Sequence, residues 1–429
     1  MDQQVAVGLD IGTDKIKVIA GVPDLEGRLR LIGTGEALSD GVVRSSIVNI
    51  DKTVNAIRKA VGEVSDSAKI RINGANVSIT GRHIKSTLHH SGITRESQDG
   101  EIACEDVMRL NKDMYRIVTP PGSEIIHVIP REYTVDYQEG VKDPVGMSGV
   151  RLEGNFHVVT AQTNVMNNIY KCVTRANLEI DNLILAPLAA SIAVLTEEEK
   201  EMGVCLVDIG ASTMGVAIYQ AGALQHVATI PFAGDSITKD IAQAFMIMEP
   251  QAEELKKRYA STYEEDTKHA FVVVPGFRNR QEKKIPLSIL TKVVSARMEE
   301  SVELIHTEIL RAGFQDKLAG GIVLTGGGAQ LRNIEKLFEY MTTGMSSVGY
   351  HSSYDTRIGY PYEYVLASDE EQLPGIEYAT AIGLALASSQ TIGHTENIQS
   401  KRRKKTNDEV KPIMKEKKRG LWEFLKSIF

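Results

Sequence analysis

Cysteine is scarce in this chain. Cys104, Cys172 and Cys205 are the only three among 429 residues, and no two of them form a CxxC pair. An odd, scattered set excludes a disulfide scaffold and a thiolate zinc site, and it fits a reducing compartment. Tryptophan is rarer still, with Trp422 alone. No apolar run approaches the ~20 residues that a membrane span needs. No basic segment followed by an apolar stretch precedes the first strand-like residues, Val5-Ala6-Val7-Gly8-Leu9. That predicts no secretory signal and a cytoplasmic protein. Excess positive charge is also missing: the net charge is −7, so no nucleic-acid partner is expected. The average hides one asymmetry, because the C-terminal stretch from Lys401 onward is strongly basic.

The chain is long enough for two or more domains with substantial cores. Its opening reads as strand, tight turn, strand: Val5 to Asp10, then Ile11-Gly12-Thr13-Asp14, then Lys15 to Val22. A third strand, Leu29 to Glu36, follows, and Ile50 to Val64 has helical apolar spacing at Val54, Ile57, Val61 and Val64. From about His83 to Glu179 the texture changes. Short strands (Glu124–Ile129, Glu132–Tyr137, Phe156–Ala161) and helices (Glu105–Tyr115, Thr163–Asn177) predict a small α/β unit inserted in the first half. At Val204 the opening pattern recurs as Val204–Asp208, a small-residue turn, and Met214–Gln220, a sign of internal duplication. Helices are predicted over Ser236–Met248, Pro250–Tyr259, Leu287–Ala312, Asn333–Thr342 and Tyr378–Ser388.

The two repeated turns carry the chemistry. A strand ending in Asp10 or Asp208 holds a carboxylate at the mouth of a turn, where it can position a hydrated magnesium ion. Small residues beyond it, Gly12 and Thr13 or Gly210, Ser212 and Thr213, let backbone N–H groups approach phosphate oxygens closely. One such turn is usually a plain hairpin. Two, half a chain apart and each flanked by strands, predict a clamp on a nucleotide's phosphates and metal. A third glycine cluster, Gly326-Gly327-Gly328, follows the strand Ile322–Thr325. Its bare backbone is open to two readings, a simple strand-to-helix turn or a surface for a base and ribose.

Order, spacing and context of these elements resemble the actin, Hsp70 and sugar-kinase superfamily. Its phosphate-1 element matches Gly8 to Lys17 and connect-1 matches Leu185 to Leu195. Phosphate-2 matches Val207 to Thr213, the adenosine element Ile322 to Leu331, and connect-2 Tyr378 to Leu386. Within the superfamily the chain is similar to the FtsA family of bacterial cell-division actins over essentially its whole length. The inserted segment carries that likeness, in Pro130-Arg131-Glu132-Tyr133-Thr134-Val135-Asp136 and Pro144-Val145-Gly146-Met147-Ser148-Gly149-Val150-Arg151-Leu152-Glu153. So does Gly234-Asp235-Ser236-Ile237-Thr238-Lys239-Asp240-Ile241-Ala242.

The resemblance implies an α/β fold of two ribonuclease-H-like lobes that binds ATP and Mg2+. Asp10 and Asp208 would face the metal and hold it through water; Gly12, Thr13, Gly210, Ser212 and Thr213 would contact phosphates; Gly326, Gly327 and Gly328 would line the adenosine pocket. Ala252-Glu253-Glu254-Leu255-Lys256 matches an A-E-x-x-K helix that contacts ribose and base, although Glu253 and Lys256 also read as a solvated ion pair. The implied division is 1–83, 180–202 and 368–389 for subdomain 1A; 84–179 for the inserted 1C; 203–233 and 312–367 for 2A; and 234–311 for 2B. A charged linker, 390–414, and a helix over 415–429 complete it. Implied partners are the C-terminal peptide of FtsZ at 2B, further copies of the chain in filaments, and later division proteins. Shape-determining or pilus-assembly actins and Hsp70-like or kinase-like enzymes remain alternatives.

Two departures bear on turnover. Ala186 stands where actin-like ATPases carry Gln or Glu to orient water, and Ala211 and Ser212 replace glycines in phosphate-2. The second departure predicts strain wherever φ must be positive. Together they predict nucleotide binding with weak or negligible hydrolysis. At the other end of the chain, Leu421, Trp422, Phe424, Leu425, Ile428 and Phe429 share one helical face, with Lys417, Lys418 and Arg419 just upstream. A core helix, a protein groove and a lipid surface all suit such a face. The charged linker, the lone tryptophan and the basic flank point to anchoring on the cytoplasmic membrane face.

Overall fold

The computed structural model describes residues 5–24, 26–95, 100–263, 270–276, 281–343, 353–366 and 373–388. Two sheets in it repeat one plan. In the first, Ala6–Ile11 turns tightly into Lys15–Pro23, which continues antiparallel into Leu29–Leu38. On its other side Ala6–Ile11 runs parallel to Gly74–Ile79, and that strand parallel to Glu179–Leu185. The short strand Val365–Leu366 completes six strands. In the second sheet Val204–Ile209 turns into Met214–Gln220 and Ala223–Ile230, and runs parallel to Ile322–Thr325, with Thr356–Ile358 beyond.

The duplication extends to register. The last pairs of the two hairpins are Ile11 with Ile16 and Ile209 with Met214, leaving Gly12 to Lys15 and Gly210 to Thr213 as loops of equal length. Both first strands are buried along their length except at one position, Asp10 or Asp208. Burial on both faces explains why these strands read as continuous apolar runs. The exception marks where each strand opens onto a cleft.

Two helices pass between the sheets. Ala186–Val194 is buried on every side, and the helix over 379–388 is buried through Ala387. A helix apolar all round belongs inside a core. Their small residues allow a close crossing: a Cβ placed on Gly383 would overlap the carbonyl oxygen of Ala189. Gly8 plays the same part in the first sheet, where a Cβ would overlap the carbonyl oxygen of Ala381.

The inserted unit is a four-stranded sheet in the order Lys85–Thr94, Arg151–Gln162, Ser123–Val135, Gln138–Val141. Helix Cys104–Met114 closes its core with Val107, Leu110 and Met114 against Phe156 and Val158. The two strands expected over Glu124–Ile129 and Glu132–Tyr137 are one, Ser123–Val135. Pro130 faces Phe156 and Glu132 faces Asn155, so Arg131 bulges out, and a strand accepts a residue without an N–H at such a bulge. The chain returns through helix Thr163–Arg175, whose Met166, Ile169, Cys172 and Val173 join the core of the first lobe beside Val54 and Ile57. The insert also reaches the helix Glu197–Met202 that leads into the second sheet, where Lys142 Nζ lies 2.9 Å from both carboxylate oxygens of Glu201.

Candidate functional site

A cleft of about 720 Å³ opens between the lobes. All twelve residues assigned to nucleotide contact from the hairpins, the glycine cluster and the A-E-x-x-K helix line it. Chain connectivity explains the convergence. Each hairpin is the open end of its sheet, and helices Gly234–Phe245 and Glu249–Tyr259 cap the second lobe beside it.

Asp10 and Asp208 lie on the cleft floor. Ser78 Oγ donates to Asp10 Oδ1 at 2.7 Å and in turn accepts from the Ile11 amide at 3.0 Å, so that carboxylate has a fixed orientation. Thr380 Oγ1, from the second connecting helix, donates to Asp208 Oδ2 at 3.1 Å. Burial raises the pKa of Asp10, against the opposing pull of Lys17 and Ser78. For Asp208, burial and then the charge of Asp10 push the value up to about 6. Two desolvated carboxylates repelling one another make a floor that favours added positive charge. Their donor atoms are all oxygen, which suits a hard divalent cation. No group of three or more acidic, His or Cys side chains gathers there among the described residues. A cation would therefore complete its shell with water or ligand oxygens.

Lys17, the last residue of the phosphate-1 match, brings a cation to the same floor, although the resemblance assigns it no contact. It stands directly opposite Asp10 in the hairpin register, a placement that antiparallel pairing alone could have revealed. Its ammonium donates to the Glu377 carbonyl and lies 5.1 Å from the centre of the Tyr378 ring. It reaches the connect-2 segment from the first hairpin.

The glycines have separate tasks. A Cβ on Gly12 would stand 2.7 Å from the Lys15 carbonyl oxygen, and one on Gly210 3.0 Å from that of Thr213. Both hairpins are thus too tight for a side chain at the same place. Gly326 has φ 83° and presses on the Asp208 carboxylate, while Gly328 presses on Ile209. Only Gly327 has room, with Glu377 Cβ at 3.8 Å the nearest atom to a Cβ there. The strain expected at Ala211 and Ser212 is not found. Neither residue has positive φ, because the turn closes through the Gly210 N–H to Thr213 carbonyl bond at 3.0 Å.

Glu253 and Lys256 face the cleft and also pair with each other at 2.7 Å, so the ion-pair reading and the cleft reading hold together. Lys256 Nζ further donates to Thr238 Oγ1 at 2.8 Å and to the Gly234 carbonyl at 3.1 Å. Burial works to raise the Glu253 pKa, but Lys256 and Thr238 outweigh it and hold the carboxyl below its usual range. Lys257, one residue on, sits 3.7 Å from Asp14 of the first hairpin and so spans the cleft. Ala186 lines the cleft at the start of its helix. The tail residues Leu421, Trp422, Phe424, Leu425, Ile428, Phe429, Lys417, Lys418 and Arg419 lie outside the described residues. No helix among the described residues is long and apolar enough to cross a membrane.

Comparison with known proteins accords with this geometry. Residues 205–383 match the family of cell division protein FtsA, and residues 81–160 match the SHS2 domain inserted in FtsA. The chain is 36% identical over 418 residues to the cell division protein FtsA of Pseudomonas aeruginosa, covering 97% of each. It is 35% identical to FtsA of Escherichia coli K12, covering 89% of this chain and 90% of that one. Among solved structures, the PilM–PilN type IV pilus biogenesis complex superposes with a TM-score of 0.63 at 17% identity, over 90% of this chain and 99% of that one. MreB 5 of Spiroplasma citri bound to AMPPNP does so with a TM-score of 0.52 at 13% identity, over 92% and 99%. The duplicated lobes are thus an actin-like fold carrying an SHS2 insert, and the chain belongs to the FtsA family of cell-division proteins.

Proposed function

We propose that this chain binds ATP with Mg2+ in the interlobe cleft and works as a membrane-tethered adaptor for the FtsZ polymer. One observation carries the nucleotide part: two like hairpins from the two lobes set Asp10 and Asp208 facing each other on one cleft floor. Thr13, Ser212 and Thr213 stand beside them as hydroxyl donors for phosphate. The AMPPNP bound to MreB 5 supports the reading. Asp10 and Asp208 would hold Mg2+ through water, and the ion would supply charge that neutralises the phosphates. Lys17 draws the phosphate chain toward the first hairpin, and Gly327 leaves backbone clear for the adenosine.

Turnover is slow in this scheme. Ala186 offers a methyl group at the cleft wall, which neither accepts a proton nor orients a water. Steady-state phosphate release is expected to be negligible while ATP binds, and rapid release would overturn the adaptor reading in favour of an enzyme. Lys17→Met is expected to weaken ATP binding by about tenfold to a hundredfold, the weight of a hydrogen bond to a charged group. Titration calorimetry with Mg2+ present measures it.

In the same proposal, lobe closure on ATP sets the surfaces for filament formation, subdomain 2B takes the FtsZ C-terminal peptide, and later division proteins are recruited to the assembly. The tail lies on the cytoplasmic membrane face. Deleting Gly420–Phe429, or Trp422→Glu, is expected to abolish co-sedimentation with anionic liposomes. Pull-down with the FtsZ C-terminal peptide tests the partner, and no capture at micromolar concentration would count against it.

A further inference from the structure

A strained turn overhangs the phosphate hairpins and belongs to neither of them. Val42–Val43 and Ser46–Ile47 pair as a minimal antiparallel ladder, leaving Arg44 and Ser45 as a two-residue turn with φ of 49° and 58°. Such turns favour Asn-Gly, because both central residues enter the left-handed region. Side chains with a Cβ are disfavoured in that region, so both residues are held there under strain.

The base of this turn is firmly mounted. Gly41 O accepts from the amides of Val48 and Asn49 at 2.9 and 3.1 Å, and Asn49 Oδ1 caps helix Ile50–Ala68 through the Lys52 amide at 3.0 Å. The strain therefore serves to place the tip. The Ser45 amide donates to Thr13 Oγ1 at 3.0 Å, and Ser45 Oγ stands 3.3 Å from Thr213 Oγ1. Thr13 Oγ1 is in turn 2.7 Å from Ser212 Oγ. Ser45 thus joins hydroxyls from both hairpins, and hence both lobes, into one network at the cleft wall.

A hydroxyl can both donate and accept, so four of them satisfy one another. Phosphate oxygens only accept, and they would draw every one of these hydroxyl protons toward themselves. The amide of Ser45 adds a donor that cannot rotate away. Resting on the nucleotide reading above, we propose that Ser45 is a specificity-determining residue, through which the 42–47 turn grips the terminal phosphate and separates ATP from ADP. The ligand chemistry is a terminal phosphoryl group that bridges the two hairpins.

Affinities of the full chain for Mg-ATP and Mg-ADP, measured by calorimetry, test it in Ser45→Ala and Ser45→Gly. The glycine variant relieves the positive φ while deleting the hydroxyl, so it separates folding from recognition. Both variants are expected to lose about tenfold in ATP affinity with ADP changed less than twofold, and Ser45→Gly to melt no lower than the parent. Equal losses for both nucleotides, or no loss for either, would overturn the proposal. Parent protein that binds neither nucleotide would instead overturn the reading on which it rests.

Discussion

Gly383→Ala is expected to destabilise this protein by about 2 kcal/mol, whereas Gly62→Ala is expected to stabilise it by about 1 kcal/mol. Both glycines are interior to helices, 379–388 and Ile50–Ala68. Helix propensity alone favours alanine equally at each. The surroundings decide the sign. Nothing lies within 4 Å of a Cβ on Gly62, so the propensity gain is free to appear. On Gly383 the same atom would overlap the Ala189 carbonyl, and rigid backbone on both sides cannot yield as a side-chain tip would. Overpacking costs about 1–3 kcal/mol, and a Cβ only 1.7 Å from a backbone oxygen belongs at the upper end, so about 2 kcal/mol remains after the propensity gain. Melting temperatures of the two variants against the parent measure the difference, and shifts of the same sign would refute it.

The consequence extends beyond stability. Gly383 sits where the two connecting helices cross, and Thr380, one turn earlier on the same helix, holds the Asp208 carboxylate at 3.1 Å. Gly8, on the strand that carries Asp10, packs on Ala381 of that helix. A helix displaced by an added methyl group therefore moves the partner of Asp208 and the backbone against which the strand of Asp10 packs. Lobe geometry and the cleft floor are mechanically one unit, so a change at the crossing should be felt at the cleft without touching it.

Much of this arrangement is legible in the sequence, and the illegible parts have physical causes. The hairpins are readable because burial on both faces leaves a continuous apolar run broken only by Asp10 or Asp208. The strand between them and the outer edge, Gly74–Ile79, is not. It is just as central, but it carries Asn76 and Ser78, whose polarity serves partners far away in sequence. Asn76 donates to the Leu384 carbonyl at 3.0 Å, and Ser78 orients Asp10. The strand Lys85–Thr94 escapes for the opposite reason: it is an edge with most side chains reaching solvent, so no alternating apolar signal exists. Lys17 is hidden by the strand alternation around it, and Ser45 by a turn that contains neither asparagine nor glycine. The residues assigned to the membrane belong to a tail outside the described residues.

Acid should loosen the joint between the insert and the first connecting helix, through His127. This side chain is only 2% exposed on strand Ser123–Val135, and its Nε2 accepts from the Leu185 amide at 3.1 Å, at the N-cap of helix Ala186–Val194. Acceptance requires an unprotonated nitrogen, and burial pushes the pKa from 6.5 down to about 4. The unfolded chain therefore binds the proton first as pH falls. Stability from this residue is complete above about pH 6.5 and is lost progressively down to about pH 4. At pH 5 the loss is about 2 kcal/mol, because each pH unit below the ordinary histidine value costs about 1.4 kcal/mol. Glutamine places an amide oxygen near the same point and does not titrate, so His127→Gln is expected to keep the hydrogen bond while removing this pH dependence. Between pH 7 and pH 5 the parent should lose roughly 2–4 °C more in melting temperature than the variant. Identical losses would assign acid sensitivity to other groups and leave the His127–Leu185 contact neutral to pH. Because Leu185 leads directly into Ala186 at the cleft wall, the acid-sensitive joint and the interlobe cleft share one helix start.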